Sequence, residues 1–214
     1  MTSEPDTKTA DETDAKTDAK HAAKMAKIKV ARDKIMATKS GEKGLIIVHT
    51  GAGKGKSSSA FGMAARSIGH GMKVGIVQFV KGTIDTGEKR FFDRFPDEIE
   101  FKRMGEGFTW DTQDRARDIA AARAGWEEVK RMIADPAYAL VIADELNIVL
   151  RYDYLPVEEV LEAVTARAEM KHVIITGRNA PQALIDAADL VTEMTEVKHP
   201  FRTQNVRAQK GIEF

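Results

Sequence analysis

The stretch IIVHTGAGKGKSSS, residues 46–59, decides the fold of this chain. Its first half is a run of apolar and β-branched residues, which predicts a strand buried on both faces. Its second half is a glycine-rich turn followed by a lysine and serines, which is similar to the phosphate-binding P-loop pattern G-x-x-x-x-G-K-[ST]. A strand, a glycine loop and a helix in this order predict an α/β fold with an anion site at the end of the strand.

The spacing of this loop departs from the pattern by one residue. Counting back from Gly55, Lys56 and Ser57, the first glycine should stand at position 50, where the chain has Thr50. The glycine comes one residue later, at Gly51. Two interpretations are open: a damaged ATPase loop, or a phosphate loop that serves a different reaction.

Composition restricts the class of protein. The chain of 214 residues has 33 basic and 33 acidic residues, so no net charge attracts it to nucleic acid or to an anionic membrane. It has no cysteine, which excludes disulfides, thiolate metal sites and cysteine nucleophiles. Neither a signal-peptide pattern nor an apolar run of membrane-spanning length is present. We therefore predict a cytoplasmic protein with no nucleic-acid partner and no membrane partner.

The chain divides into three parts by composition. Residues 1–20 are charged and small residues, which predict a disordered acidic and polar tail. Residues 21–43 predict a weakly amphipathic helical arm, with Met25 and Ile28 on its apolar side. Residues 44–214 alternate strand and helix, which predicts one three-layer α/β domain with a mostly parallel central sheet and helices on both faces. The predicted strands are residues 44–50, 73–80, 98–104, 138–144, 172–178 and 190–196.

Three helices of this domain have predicted start signals. One begins at Lys56, directly after the glycine loop. A second spans residues 112–134, with Asp111 as its N-cap and Trp126 on an apolar stripe that indicates packing. A third begins at Pro156, which suits the first helical position.

The first candidate site is the P-loop (residues 50–58). Its glycines let backbone N–H groups turn toward an anion, and the dipole of the following helix adds to the attraction. Lys56 would neutralise phosphate oxygens and Ser57 would bind Mg²⁺. The alternative is a glycine-rich turn without a ligand. The candidate nucleotide ligands of this loop are Thr50, Gly51, Ala52, Gly53, Lys54, Gly55, Lys56, Ser57 and Ser58.

The second candidate site follows the strand within ALVIADEL, residues 139–146. Asp144 and Glu145 place two carboxylates at the end of an apolar run, as a Walker-B-like Mg²⁺ site requires. The alternative role of such an acidic pair is a helix cap.

The third candidate site is MGEGFTWDTQ, residues 104–113, in a connection between strand and helix. Phe108 and Trp110 follow two glycines there. Aromatic side chains in such a loop serve either a flat ligand or a local hydrophobic plug, and the pattern leaves both open.

Taken together, several motifs resemble the P-loop type of ATP:corrinoid adenosyltransferase, which acts in cobalamin biosynthesis. Within residues 44–214 they are TGAGKGKSS, AFGMAARSIGHG, VGIVQFVKGT, GFTWDTQ, VIADEL, YDYLP, VIITGR, VKHPF and AQKGIEF. Ser57 and Ser58 stand where threonines are common in the family, and residues 1–20 look like an extension. The fold implied by the resemblance is P-loop NTPase-like.

The resemblance also implies a reaction. A Co(I) corrinoid attacks C5′ of the ATP ribose and the whole tripolyphosphate leaves, with the nucleotide lying in the loop in reversed sense. A shortened loop fits a task other than γ-phosphoryl transfer. Lys56 and Glu145 are the implied catalytic residues, and Mg²⁺ is expected on Ser57 and Glu145, with Asp144 as a direct or supporting ligand.

Further roles come from the resemblance alone. Phe108 and Trp110 are expected to cover the lower face of the corrinoid. The helical arm is expected to be a lid, and a flavoprotein or flavodoxin-type reductant and a homodimer are family expectations. The acceptor is cobyrinic acid a,c-diamide or complete cobalamin. Additional contacts are expected from Arg66 and Arg178 to the nucleotide, and from Lys198 and His199 to the corrinoid.

Two other functions fit parts of the pattern. One is an ordinary P-loop ATPase or kinase, which would release ADP instead of triphosphate. The other is a nucleotide-gated binding module, which would bind ATP without consuming it. Neither requires GFTW together with VKHPF.

Overall fold

A computed structural model of the chain describes residues 8–80, 86–104 and 114–213, with side chains from residue 15 onward. The chain divides into two compact units, residues 1–42 and residues 43–214. The predicted aromatic site, with Phe108 and Trp110, lies outside the described residues.

The first unit contains helix α1 (Lys8–Ala37). The described side chains of residues 15–42 are exposed, and they include the apolar Met25 and Ile28. Helix α1 includes residues 8–20, whose predicted disorder stays a prediction. Alanine, lysine and glutamate favour the helical backbone even when no apolar face is buried.

The second unit is built on a parallel sheet. Within the described ranges it has six strands in the order β3-β2-β4-β5-β1-β6, and each neighbouring pair is parallel. All six predicted strands are present, and the predicted α/β class is confirmed. The strands are β1 (Ile46–Thr50), β2 (Lys73–Gln78), β3 (Ile99–Arg103), β4 (Tyr138–Asp144), β5 (His172–Thr176) and β6 (Leu190–Glu193).

Helices cover both faces of this sheet, because successive side chains of a strand point to opposite faces. In β1, Val48 packs with the apolar residues of α4, α5, α6 and α7, whereas Ile47 packs with those of α2 and α3. Trp126 of α4 is 1% exposed, so its predicted packing role is confirmed. The helices are α2 (Lys56–Gly69), α3 (Gly87–Phe92), α4 (Arg115–Ala134), α5 (Leu146–Arg151), α6 (Val157–Thr165), α7 (Gln182–Ala187) and α8 (Pro200–Gln204).

Two predicted helix starts differ by one to three positions. Helix α4 begins at Arg115, and the carboxylate of Asp114 accepts the Arg117 N–H at 3.1 Å. Asp114 is therefore the N-cap instead of the predicted Asp111. Pro156 is extended at ψ 136° and caps α6 from outside, so it is not the first helical residue.

The parallel arrangement brings the carboxyl ends of the strands to one edge of the sheet. Four neighbouring strands of the sheet, in the order β2, β4, β5 and β1, end in polar residues. These residues are Gln78, Asp144, Thr176 and Thr50. No helix in residues 8–80, 86–104 and 114–213 is long and apolar enough to cross a membrane.

Candidate functional site

The P-loop is held against the chain that leaves strand β6. The Gly53 N–H donates to the Met194 carbonyl at 2.6 Å, and the Met194 N–H donates to the Thr50 carbonyl at 2.8 Å. A Cβ on Gly51 would lie 2.4 Å from the Met194 oxygen, and one on Gly53 would lie 2.7 Å from it. Only glycine permits this approach. The one-residue displacement therefore belongs to a closely supported loop, which argues against a damaged one.

The loop ends in an open helix N-terminus. Gly55 has φ 104° and precedes α2 without a side-chain cap, so the first N–H groups of the helix face the loop. Uncapped N–H groups and the positive end of the helix dipole attract an anion. Ser57 and Ser58 lie in this first turn, where their backbone and hydroxyl groups can reach a phosphate.

Lys56 lies inside the loop instead of in solvent. Its side chain is 7% exposed, and its ammonium donates to the Gly53 carbonyl at 2.5 Å. Burial lowers the pKa of Lys56, and the nearby positive charges of Arg178 and Lys54 lower it too, whereas the Glu145 carboxylate raises it. The Asp144 carboxylate raises it as well, so three cations and two carboxylates act on the same small volume. The excess of positive charge suits a ligand with several negative charges.

Asp144 is fixed by neighbours on both sides of its strand. It is fully buried, and its Oδ2 accepts from the Gln78 amide at 2.7 Å while its Oδ1 accepts from the Thr176 hydroxyl at 2.7 Å. The Thr176 hydroxyl in turn accepts the Glu145 N–H at 2.9 Å. Both carboxylate oxygens of Asp144 are therefore already engaged, which favours a supporting role over direct contact with a ligand.

Glu145 adopts a left-handed conformation with φ 63° and ψ 19° where β4 turns into α5. Non-glycine residues seldom adopt positive φ, and such strain concentrates at functional sites. Its negative charge raises the pKa of Lys56, so the carboxylate lies on the P-loop side. Among the described residues no group of three His, Cys, Asp or Glu side chains is placed to hold a metal ion. A metal site here would need oxygen from Ser57 and from the nucleotide.

The two arginines predicted at the nucleotide lie at different places. Arg178 is exposed and lies two residues after the end of β5. Its charge lowers the pKa of Lys56, and the nearby Ala180 N–H donates to the Thr50 hydroxyl at 3.0 Å, so the structure brings this segment to the loop. Arg66 is exposed in the last turn of α2. Ten residues of α-helix separate it from Lys56, about 15 Å along the axis. The structure therefore does not place Arg66 beside the loop.

The predicted corrinoid contacts after β6 lie on the surface. Lys198 is exposed, and His199 caps α8 through its Nδ1, which accepts the Phe201 N–H at 3.2 Å. His199 also lies close enough to Glu213 to lower the pKa of that carboxyl group. Glu213 reaches the P-loop in turn, because its carboxylate lies 2.6 Å from the Lys54 ammonium.

Sequence reasoning missed four contributors. Gln78 and Thr176 support Asp144, Glu213 pairs with Lys54, and His49 is buried under the loop with its Nδ1 3.3 Å from the Lys56 carbonyl. Burial lowers the pKa of His49, which keeps the imidazole neutral. A polar residue that ends an apolar strand is the signal that could have indicated Gln78 and Thr176.

Comparisons with known proteins identify the family. Residues 42–214 match the sequence profile of the family "ATP:corrinoid adenosyltransferase BtuR/CobO/CobP". The "Corrinoid adenosyltransferase" of Pseudomonas aeruginosa is 53% identical over 197 residues, which cover 92% of this chain and 97% of that one. A protein of the same name from Sinorhizobium sp is 55% identical, covering 93% and 94% of the two chains. The "Corrinoid adenosyltransferase CobA" of Salmonella typhimurium is 47% identical, covering 92% and 99%. The chain belongs to the ATP:corrinoid adenosyltransferase family.

Proposed function

We propose that this protein transfers the 5′-deoxyadenosyl group of ATP to the cobalt of a reduced corrinoid, a step in adenosylcobalamin biosynthesis. The observation that carries the proposal is the displaced P-loop, clamped by Met194 and filled by the buried Lys56 ammonium, in a chain whose residues 42–214 match this family.

The reaction requires no nucleophile from the protein. The electron pair of Co(I) forms the bond to C5′, the C5′–O bond breaks, and its electrons leave with the tripolyphosphate. The protein must hold the two substrates in line and neutralise the negative charge that grows on the leaving oxygen. The open N-terminus of α2 would do this together with the ammonium groups of Lys56 and Lys54. Arg178, whose charge acts on Lys56, would add to it.

Mg²⁺ fits the oxygen donors of this site. The Ser57 hydroxyl and the Glu145 carboxylate lie at the P-loop and at the end of β4, and Asp144 supports Glu145 through the Thr176 hydroxyl. Oxygen ligands from few side chains, with water and phosphate completing the shell, are typical of Mg²⁺. A bound Mg²⁺ would supply further positive charge to the phosphates.

The corrinoid side of the site is proposed from the family resemblance. Phe108 and Trp110 would cover the lower face of the corrinoid, and Lys198 and His199 would contact its edge. The helical arm of residues 21–43 would act as the lid, either on its own subunit or on the neighbouring subunit of a homodimer. Cobyrinic acid a,c-diamide is the proposed acceptor, and a flavoprotein or flavodoxin-type protein is the proposed reductant. A cytoplasmic location stays a prediction from composition.

The test is a product analysis. The protein is incubated with ATP, Mg²⁺ and chemically reduced corrinoid, while the corrinoid spectrum and the phosphate products are followed. Adenosyl transfer yields inorganic triphosphate and an alkylated corrinoid in equal amounts. Release of ADP would support an ATPase or kinase, and unconsumed ATP would support a binding module, so either result would contradict the proposal.

The proposed aromatic cover has its own test. Phe108→Ala and Trp110→Ala are each assayed with corrinoid reduced on the enzyme from Co(II) and with corrinoid supplied as Co(I). If the aromatics exclude the lower axial ligand, reduction on the enzyme should suffer more, because axial ligation lowers the cobalt potential. An equal loss in both assays, with an unchanged spectrum of bound Co(II), would leave only a packing role for these side chains.

A further inference from the structure

The segment that contains the GIE sequence, residues 209–213, folds back onto the start of α2. The N–H groups of Ile212 and Glu213 donate to the Gln209 carbonyl at 3.1 and 2.9 Å, which closes a tight turn. Gly211 and Ile212 of this turn line a groove with residues of α2. The residues of α2 that face it are Ser58, Phe61, Gly62 and Ala65. The turn thus lies beside the P-loop although it is distant in sequence.

One charged contact connects the turn to the loop. The Glu213 carboxylate lies 2.6 Å from the ammonium of Lys54, and the two residues are 159 positions apart in the chain. The Glu213 side chain is 21% exposed while that of Lys54 is 64% exposed. The hydrogen bond with Lys54 lowers the pKa of Glu213. A carboxylate held by this ammonium is well placed to stay charged at the loop.

This contact matters for a polyphosphate because it places a negative charge where the ligand needs positive charge. Lys54 stands between two glycines of the P-loop and is one of the cations that act on Lys56. While Lys54 is paired with Glu213, its charge is compensated within the protein. A tripolyphosphate must share the ammonium with that carboxylate or displace it, and both carry an electrostatic cost.

We propose that Glu213 is the internal counter-ion of Lys54 and that it sets how tightly the P-loop holds inorganic tripolyphosphate. Glu213 acts through Lys54 and is a positioning residue. The carboxylate returns to the ammonium as the tripolyphosphate departs, which weakens the grip on the leaving group and favours its release. The relevance of tripolyphosphate as the product rests on the proposed adenosyl transfer.

The test is a charge series at one position, measured as binding. Wild type, Glu213→Gln and Glu213→Lys are titrated calorimetrically with sodium tripolyphosphate at fixed low ionic strength. Exposed and partly exposed charge pairs are weak, so Glu213→Gln should lower the dissociation constant by about fivefold at most. Glu213→Lys should lower it further. A segment that only packs against α2 would give the opposite sign, because both substitutions would loosen the loop.

A second background tests whether Lys54 transmits the effect. In a Lys54→Met protein, Glu213→Gln should change the dissociation constant less than about twofold, because the partner whose charge it compensates is gone. The matched control is Glu159→Gln on α6, whose carboxylate lies 3.4 Å from Lys130. It removes a similar surface ion pair away from the loop and should leave tripolyphosphate affinity unchanged.

The outcomes separate clearly. The counter-ion role is supported if tripolyphosphate binds more tightly in the order Glu213, Glu213→Gln, Glu213→Lys, and if this trend disappears in the Lys54→Met background. Unchanged or weaker binding by Glu213→Gln overturns it, and so does an equal effect in both backgrounds. Circular dichroism of each variant verifies folding. The binding assay needs no corrinoid, so a failure of the proposed adenosyl transfer would show in the product analysis and not here.

Discussion

Thr176→Val tests the support of the carboxylate pair most directly. The Thr176 hydroxyl donates to Asp144 at 2.7 Å and accepts the Glu145 N–H at 2.9 Å, and both Thr176 and Asp144 are fully buried. Valine keeps the branched shape and removes both hydrogen bonds. The Asp144 Oδ2 keeps its bond from Gln78, whereas Oδ1 loses its donor.

The size of the effect follows from burial. A neutral buried group left without its hydrogen bond costs about 1–3 kcal/mol, and a charged group costs more. The backbone N–H of Glu145 and one oxygen of Asp144 together predict a loss of about 3–4 kcal/mol in the free energy of unfolding. For a domain of this size that lowers the midpoint of thermal unfolding by about 10 °C. Adenosylation should fall about 10- to 100-fold if Glu145 binds the proposed Mg²⁺, because residues that support metal ligands typically have that effect.

The matched control is Thr165→Val, at an exposed hydroxyl that donates to the Leu161 carbonyl at 2.6 Å within the same helix. A surface substitution of this kind changes stability by about 0.5 kcal/mol or less. The assays are thermal unfolding by circular dichroism and adenosylation with pre-reduced corrinoid. The support of Asp144 by Thr176 would be refuted if the midpoints of thermal unfolding of Thr176→Val and the control differed by less than about 2 °C, which is on the order of the measurement error.

Three further predictions concern the loop and the arm. Lys56→Ala should retain the fold and lower turnover about 100- to 1000-fold, as the loss of an electrostatic stabiliser does; near-normal steady-state adenosylation would contradict this. Burial lowers the pKa of Lys56 in the free protein, and a bound polyphosphate would raise it, so tripolyphosphate should bind most tightly below the free-protein pKa and less tightly as the pH rises above it. Calorimetry should show no such decline in Lys56→Met. Deleting residues 1–20 should leave activity unchanged while deleting residues 1–38 lowers it, and equal activities would exclude a lid function.

The strands could be predicted because each is a short apolar run bounded by polar or glycine residues. The order of the strands could not, because the pairing of β1 with β5 and β6 depends on contacts between distant parts of the chain. The loop itself was predictable from glycine, lysine and serine at a nearly regular spacing. Its clamp was not, since nothing in the local sequence marks Met194 as the residue whose backbone closes on Gly53.

The residues that support the site could not be predicted from the sequence for the same reason. Gln78 and Thr176 are 66 and 32 positions from Asp144, and only the parallel register of β2, β4 and β5 brings their side chains together. The Lys54–Glu213 pair likewise joins two segments with no shared pattern. The disorder of residues 1–20 stays a prediction. The helix from Lys8 onward is consistent with the high helix propensity of alanine, lysine and glutamate, which does not depend on burial.

The state of the two carboxylates bears on the choice of reaction. A kinase or ATPase needs a carboxylate that can orient or accept a proton from the attacking group. Both oxygens of Asp144 already accept hydrogen bonds, from Gln78 and from Thr176, so Asp144 is committed to holding the end of β4. Glu145 is the second carboxylate of the pair. Its charge raises the pKa of Lys56, and the proposed Mg²⁺ would occupy it. An attacking group that brings its own electron pair and no proton, as Co(I) does, needs no base at all. The arrangement of buried Lys56, open helix N-terminus and engaged Asp144 therefore favours chemistry in which the protein stabilises a leaving polyphosphate and the nucleophile arrives with the second substrate.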